Sequence, residues 1–498
     1  MKKTPLSTML SIVFLFCIGA ASTASAQTFK TLADFSGSNG SSPLFMSLVQ
    51  GSDGNSYGTT QTGGTHGFGT VFKVTPNGAL TTLYSFCAQT NCTDGVYPLF
   101  GLILATDGNF YGATSGGGAT FAGCYNNAGC GTVFKITQPG VLTTLHSFSG
   151  LDGDSPNGLI QAADGNFYST TSYGGATVNI ACYNNLGCGT VFKVTPKGTL
   201  TTIYNFCSLT NCADGDAPNP GVVQGNNGSF YGTTLAGGTG CSSGCGTVFA
   251  VTSAGMLTTL HNFADTGIDG GYPLSSLVQA SSGNFYGTTS AGGANQQGTI
   301  FEVTPSGTTT TLHSFCALTN CADGSVPSAG LIQATDGKFY GTTSGGGANS
   351  SGTAFKVTST GVVTTLYSFC AQSGCTDGSA PFPGLFQATN GTFYGTTTSG
   401  GTSTACTGGC GTVFSIAAGL GPFVETLPQS GKVGTKVIVL GNNLSTTTTV
   451  TFNGTTAIFK VVSNTEITTT VPTGATSGKV QVITSHGTLN GNVTFRVK

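Results

Sequence analysis

The chain has 498 residues, of which only 6% are charged and 80 are glycine, and it contains no Trp. Roughly 25% charge is usual in a soluble domain, so long salt-bridged helices are excluded, and short Thr, Val and Phe strands joined by Gly-rich turns are expected. A net charge of −2 without any basic patch argues against nucleic acid and anionic membrane surfaces as partners.

Residues 1–26 read as an export signal. Lys2 and Lys3 give a positive start, "MLSIVFLFCIGAA" is the apolar run, and "ASA" at 24–26 is a small-x-small cleavage site. The run is short for a membrane span, and the bulky "FLF" before Cys17 does not suit a lipoprotein site. Cleavage leaves 13 basic residues (15 less Lys2 and Lys3) against 17 acidic. No later stretch is apolar enough to span a bilayer.

"TFKTLADF" follows at 28–35, and then a repeat begins. The block "GNFYGTT" places Tyr at 57, 111, 168, 231, 286, 340 and 394, at spacings of 54, 57, 63, 55, 54 and 54. "LIQA" or "SLVQ" precedes it, "GTVFKV" follows it, and "LTTLYSF" ends the unit at Phe86, Phe148, Phe206, Phe263, Phe315 and Phe369. Each unit thus holds four strand phrases, a to d. "TDG" or "ADG" turns join a to b, and "TPNG"-type turns join c to d. A four-stranded meander of about 55 residues suits a propeller blade better than a solenoid coil.

Phrases a, b and c occur seven times, but the seventh unit lacks d after "GTVFSI" at 411–416. "TFKTLADF" supplies that missing strand from the other end of the chain. Residues 27–418 are therefore expected to form a seven-bladed β-propeller closed by an N-terminal strand, which removes two exposed strand edges. The repeated Phe-Tyr pairs are expected to be inter-blade core.

Sixteen Cys remain after the signal and form eight local pairs. Four pairs lie in d-to-a connections: Cys87/Cys92, Cys207/Cys212, Cys316/Cys321 and Cys370/Cys375. Four lie in b-to-c loops: Cys124/Cys130, Cys182/Cys188, Cys241/Cys245 and Cys406/Cys410. An even count in an exported chain points to disulfides, with zinc the weaker reading. These connections emerge on one side of a meander, so all eight pairs should decorate one face.

The d-to-a connections also carry "DGxxP", with Asp94, Asp152, Asp214, Asp269, Asp323 and Asp377 and, in the first unit, Asn39. An Asp-Gly turn into Pro is the reading adopted; a calcium site is the alternative, with Asp-x-Asp at 152–154 and 214–216 its best carrier. No cofactor is otherwise implied. What repeats in every unit is scaffold, and a site should break the repeat. The best departures are "CYNNAGC" and "CYNNLGC", whose Tyr125, Asn126, Asn127, Tyr183, Asn184 and Asn185 offer stacking and amide hydrogen bonds to a glycan or a protein.

From residue 419 the repeat vocabulary stops. Residues 419–498 alternate strands with Gly and Asn turns, as in a small β-sandwich. "LPQSGKVGTKVIVLGNNL", "VTFNGTTA", "TEITTTVPTGATSGKVQVIT" and "VTFRV" resemble the IPT/TIG domains, which implies an immunoglobulin-like fold used as an extracellular spacer or interaction module. "LIQATDGNFYGTTSGGGANSSGTAFKVTSTGVVTTLYSF" and its six sister units resemble the GloVer tandem repeat of choice-of-anchor bacterial surface proteins. That resemblance implies export from a bacterium, to the surface, medium or periplasm, and supplies no activity. The final "VTFRVK" is a strand, so release or non-covalent retention is expected.

Catalysis needs convergent titratable groups. His146, His261 and His313 occupy the Tyr position of phrase d. Glu is found only at 302, 425 and 466, and no GxSxG or HExxH motif occurs. The expectation is an all-β, monomeric, non-catalytic extracellular binding or adhesion protein. The alternatives are a propeller-based polysaccharide hydrolase or lyase using Asp154 or Asp216, and a structural envelope component.

Overall fold

The structure, a computed structural model, describes residues 27–45, 47–119, 124–176, 182, 186–242 and 244–498, the side chains of Asn126 and Pro220 excepted. The signal at 1–26 and the candidates Tyr183, Asn184 and Asn185 lie outside them. The described chain is strand, turn and short 3-10 turns, and none of its helices is long and apolar enough to cross a membrane.

Seven antiparallel sheets follow one another. The first pairs Val49–Gln50, Ser56–Thr60, Thr70–Val74 and Leu80–Ser85 in that order, as strands a, b, c and d. The order recurs in every sheet, and the third gains a short extra strand, Asp154–Pro156. The seventh runs Phe386–Gln387, Phe393–Thr397, Thr412–Ala417 and then returns to the start of the chain. Thr28–Asp34 pairs antiparallel with Thr412–Ala417, from Thr28 opposite Ala417 to Asp34 opposite Thr412.

The burial pattern explains the weak alternation of the sequence. In strand b five successive residues are buried, as in Phe110–Thr114, because both faces are covered. Neighbouring sheets meet through aromatic rings. Phe86–Phe134, Phe148–Phe192, Phe206–Phe249, Phe263–Phe301, Phe315–Phe355 and Phe369–Phe414 are edge-to-face pairs with centroids 5.0–5.3 Å apart. Phe35 makes the same contact with Phe72 at 5.1 Å, between the seventh sheet and the first. A second set stacks Tyr on Phe, from Tyr57–Phe110 to Tyr340–Phe393, at 4.0–4.2 Å. Ser56 stands where a seventh Phe would be.

The Thr residues of "GTT" and "GTV" are internal clasps. Each sheet joins strand b to strand c by one buried hydroxyl pair, such as Thr60–Thr70, at 2.8–3.0 Å. The Gln of phrase a ties one sheet to the next. Its Oε1 accepts an N–H from the neighbouring a–b turn at Gln161, Gln224, Gln279, Gln333, Gln387 and Gln50, the last from Thr389 of the seventh sheet. Leu104 replaces Gln in the second unit.

The tail forms two facing sheets. One orders Glu425–Leu427, Lys436–Leu440, Glu466–Thr470 and Phe459–Val461, and the other centres on Thr449–Phe452, Gly478–Thr484 and Gly487–Val497. Val437, Val439, Val450, Phe452, Ile467, Val480 and Val482 fill the space between. The tail sits on the a–b turns. Thr389 accepts Phe423 N at 2.9 Å on its carbonyl and Asn442 Nδ2 at 2.7 Å on its hydroxyl. Thr465 Oγ1 donates to Ser52 O at 2.6 Å. Leu440, with Leu427 and Ile438, packs into a cluster with Leu102 and Leu104. The departure from Gln at 104 is thus an apolar contact for the tail.

Phe35 is fully buried, so Phe35→Ala should cost about 3–5 kcal/mol. A fall in the urea midpoint of that order is expected, and an unchanged midpoint would show that the N-terminal strand adds nothing to the stability of the sheets.

Candidate functional site

All eight expected disulfides are formed. Their loops are wired together by backbone hydrogen bonds. In the d-to-a loops the carbonyls of Cys92, Cys212, Cys321 and Cys375 accept the amides of Gly118, Gly238, Gly347 and Gly401, which lie in b-to-c loops. In the b-to-c loops the carbonyls of Cys130, Cys188, Cys245 and Cys410 accept the amides of Ser155, Ala217, Tyr272 and Ser42 of the neighbouring unit. Both kinds of loop therefore share one face, opposite the a–b turns that carry the tail.

The residue before each "DGxxP" proline is left-handed. Ser42, Tyr97, Ser155, Ala217, Tyr272, Val326 and Ala380 have φ of 50–56°. This region is costly for residues with a Cβ, most of all for Val326. The inter-unit hydrogen bond holds it, turning the chain from the face into strand a.

The Asp of "DGxxP" clamps its own loop. Asp94 Oδ2 accepts Tyr84 Oη at 2.8 Å and Ala88 N at 2.9 Å, and Oδ1 accepts Gln89 N at 3.1 Å. Asp214 and Asp377 repeat this with Tyr204 and Tyr367, and Asp323 with His313. Asp152 pairs with His146 at 2.7 Å and Asp269 with His261 at 3.2 Å. Burial and the facing carboxylates raise the Tyr84, Tyr204 and Tyr367 hydroxyls well above the usual tyrosine value. Burial works against the charged forms of Asp152 and Asp269, yet the histidine hydrogen bonds and backbone N–H groups outweigh it and lower both carboxyls. The Tyr or His of phrase d is thus the partner of a loop-bracing carboxylate.

The "CYNNAGC" loop stands on this platform. Cys124 and Cys130 are buried, and Tyr125–Asn127 forms a single 3-10 turn. Asp154 Oδ2 accepts Tyr125 N at 2.6 Å. The half-buried Tyr125 ring stacks on Tyr173 at 4.8 Å and 16°. Asn127 is exposed, with φ of 53°. Tyr173 escaped the sequence reading, although it stands where the other units have Thr62, Gly116, Ala236, Ala291, Gly345 and Ser399. That departure was a usable signal. Asp154 has no exposed surface, so its carboxylate anchors the loop from beneath. Burial raises it to about 6, against the Tyr125 and Ser155 hydrogen bonds. Burial, with the charge of Asp214 adding to it, raises Asp216 to about 6 as well.

A second departure lies just ahead of strand a of the first unit. Phe45, which leads into strand a of the first unit, has its ring 6.1 Å from both Phe100 and Phe382. Beside it Leu274, Ser275, Ser276 and Ser328 help line a cavity of about 220 Å³.

An all-β chain of repeated four-stranded sheets, with an immunoglobulin-like sandwich at its end, defines the class. The chain belongs to the Gloeobacter/Verrucomicrobia repeat family, whose model matches residues 20–183, 119–322 and 181–414. The IPT/TIG domain model matches residues 423–497. No curated protein matches the sequence significantly. Among solved structures, a fungal alcohol oxidase in complex with copper is 12% identical, with 92% of this chain and 98% of that one covered and a TM-score of 0.44. PorZ, a surface component of the type-IX secretion system of Porphyromonas gingivalis, is 12% identical over 92% of this chain and 59% of its own, at 0.43. An oxidoreductase of Thermus thermophilus is 14% identical over 78% and 100%, at 0.39. Likeness at this level assigns no chemistry.

Asp154 and Asp216 titrate in the fold above the roughly 3.9 of an unfolded Asp. Each binds its proton more tightly folded than unfolded. Their contribution to stability is complete below about pH 4 and is lost as pH rises through about 6. Asp154→Asn keeps an acceptor for Tyr125 N and removes one of the two titrations. The stability of this variant relative to wild type should improve from pH 4 to pH 7 in urea denaturation; a difference independent of pH would mean that Asp154 titrates normally.

Proposed function

We propose that the seven sheets close into a seven-bladed propeller that works outside the cell as a non-catalytic binding or adhesion protein. Residues 1–26 direct export, and the mature chain acts as a monomer. The Phe35–Phe72 contact and the Gln50–Thr389 hydrogen bond support closure, since each repeats a junction made between every other pair or nearly every pair of sheets.

The observation that carries the reading is the Tyr125–Tyr173 stack. It is a rigid aromatic surface, held on a disulfide-braced loop, on the face that the tail leaves uncovered. Aromatic faces of this kind take the apolar face of a sugar ring, and the Asn127 amide can hydrogen-bond its hydroxyls. Leu151, Leu209, Ile268 and Leu318 are exposed at successive d-to-a loops of the same face, which suits a large ligand rather than a small molecule. The buried position of Asp154 favours binding over the hydrolase reading, because a general acid has to reach its substrate.

The test is a glycan array probed with the oxidised mature chain, with and without calcium. Saturable binding that falls about tenfold or more in Tyr125→Ala and Tyr173→Ala, with melting unchanged, is the expected result. Turnover of a bound polysaccharide that Asp216→Asn abolishes would replace this reading with the enzymatic one, and binding unaffected by either Tyr substitution would move the site elsewhere.

A further inference from the structure

The tail does more than cover the a–b turns. Between it and the ring lies a cavity of about 350 Å³, within the usual range for small-ligand sites, which favour domain boundaries. The ring supplies an apolar wall from four successive a strands: Val49, Ile103 and Leu104, Ile160, and Val223. Leu427 and Leu440 of the tail complete it. The Gln residues on the ring side are committed elsewhere, since Gln50, Gln161 and Gln224 each accept a neighbouring amide.

Two charged side chains of the tail also line the cavity, Glu425 and Arg496. They come from different sheets. Glu425 is paired to Leu440 in one, and Arg496 stands beside Ser430 in the other. Among the described residues neither side chain has a hydrogen-bond or ion-pair partner, and they do not pair with each other. Burial pushes Glu425 up to about 7 and lowers Arg496. Both side chains keep part of their surface exposed, so two opposite charges without a protein partner are open to one apolar-walled cavity. A ligand that brings both complementary charges can meet the two side chains at once.

We propose that this cavity binds a small zwitterion with an apolar body, of the amino-acid or dipeptide class, its ammonium on Glu425, its carboxylate on Arg496 and its side chain against Ile103, Ile160 and Val223. Arg is suited to the carboxylate, which it can hold by two parallel hydrogen bonds. The site is separate from the cysteine-braced face and independent of what that face binds. Its occupant touches ring and tail together, so binding also fastens the tail to the ring.

Leucyl-leucine is the probe, titrated by calorimetry into the full mature chain at neutral pH, with isoamylamine and 4-methylpentanoate as half-ligands. The dipeptide should bind with a Kd of about 1 mM or tighter, and each half-ligand at least about tenfold more weakly, for loss of one charge-assisted contact. Glu425→Gln and Arg496→Gln should each weaken the dipeptide by a similar factor, while Tyr125→Ala leaves it unchanged. Melting curves of the variants without ligand separate loss of binding from loss of the tail's fold. Should a variant fail to fold, Ile160→Phe, which fills the cavity from the ring side, takes its place and should abolish binding. Absence of binding by the folded wild-type chain at about 10 mM, or binding indifferent to these substitutions, overturns the proposal.

Discussion

The pairing of Thr28–Asp34 with Thr412–Ala417 is the constraint on which the rest of the molecule depends. Each sheet buries both faces against its neighbours, so a sheet at the end of an open row would leave one face and a strand edge uncovered. The returning strand completes the last sheet and delivers Phe35 to Phe72, placing the same aromatic contact at the last junction as at the other six. It also divides the seventh sheet between the two ends of the chain. Local unfolding at either end then has to break strand pairing rather than merely fray, which raises its cost.

From the repeated order of these sheets follows a division between two faces. On one, long d-to-a and b-to-c loops emerge, and each is held twice over, by a disulfide where Cys is present and by an Asp or a backbone carbonyl. The left-handed residues before proline are affordable only because neighbouring units fix them. On the other face the a–b turns are short and nearly identical, and there the tail docks. Short turns make a flat seat, and a flat seat admits a second domain. The braced loops stay free on the opposite side, where variation in loop length and sequence costs the ring little.

Much of this was legible in the sequence, because repetition turns a weak strand signal into seven concordant ones. The four strands per unit, the displaced fourth strand and the eight cysteine pairs could all be read from spacing. Other features could not. The Asp of "DGxxP" reads as a simple turn residue, yet its carboxylate reaches ten residues back to Tyr84, a pairing that exists only after strand d has folded against its loop. Tyr173 lies far from Tyr125 in sequence, and the stack forms because two loops cross on the face. Leu104 stands in phrase a where the other units have Gln, and no local rule says that a domain more than 300 residues later will cover it.

Leu104 shows how a repeat protein should be read for function. At a position where every unit has the same residue, the junction explains the residue and nothing more needs to. Where one unit departs, the seven-fold environment no longer supplies the explanation, and some local contact must. Leu104 loses a hydrogen bond that six sister units keep and gains an apolar contact with the tail. Tyr173 adds an aromatic ring at a position that is otherwise small, and it meets Tyr125. Phe45 gathers Phe100 and Phe382 around it ahead of strand a of the first unit. Glu425 and Arg496 lie outside the repeat altogether, and they line a cavity against it. The repeat is uniform because it has one mechanical task, and whatever else the chain does is written in the places where that uniformity breaks.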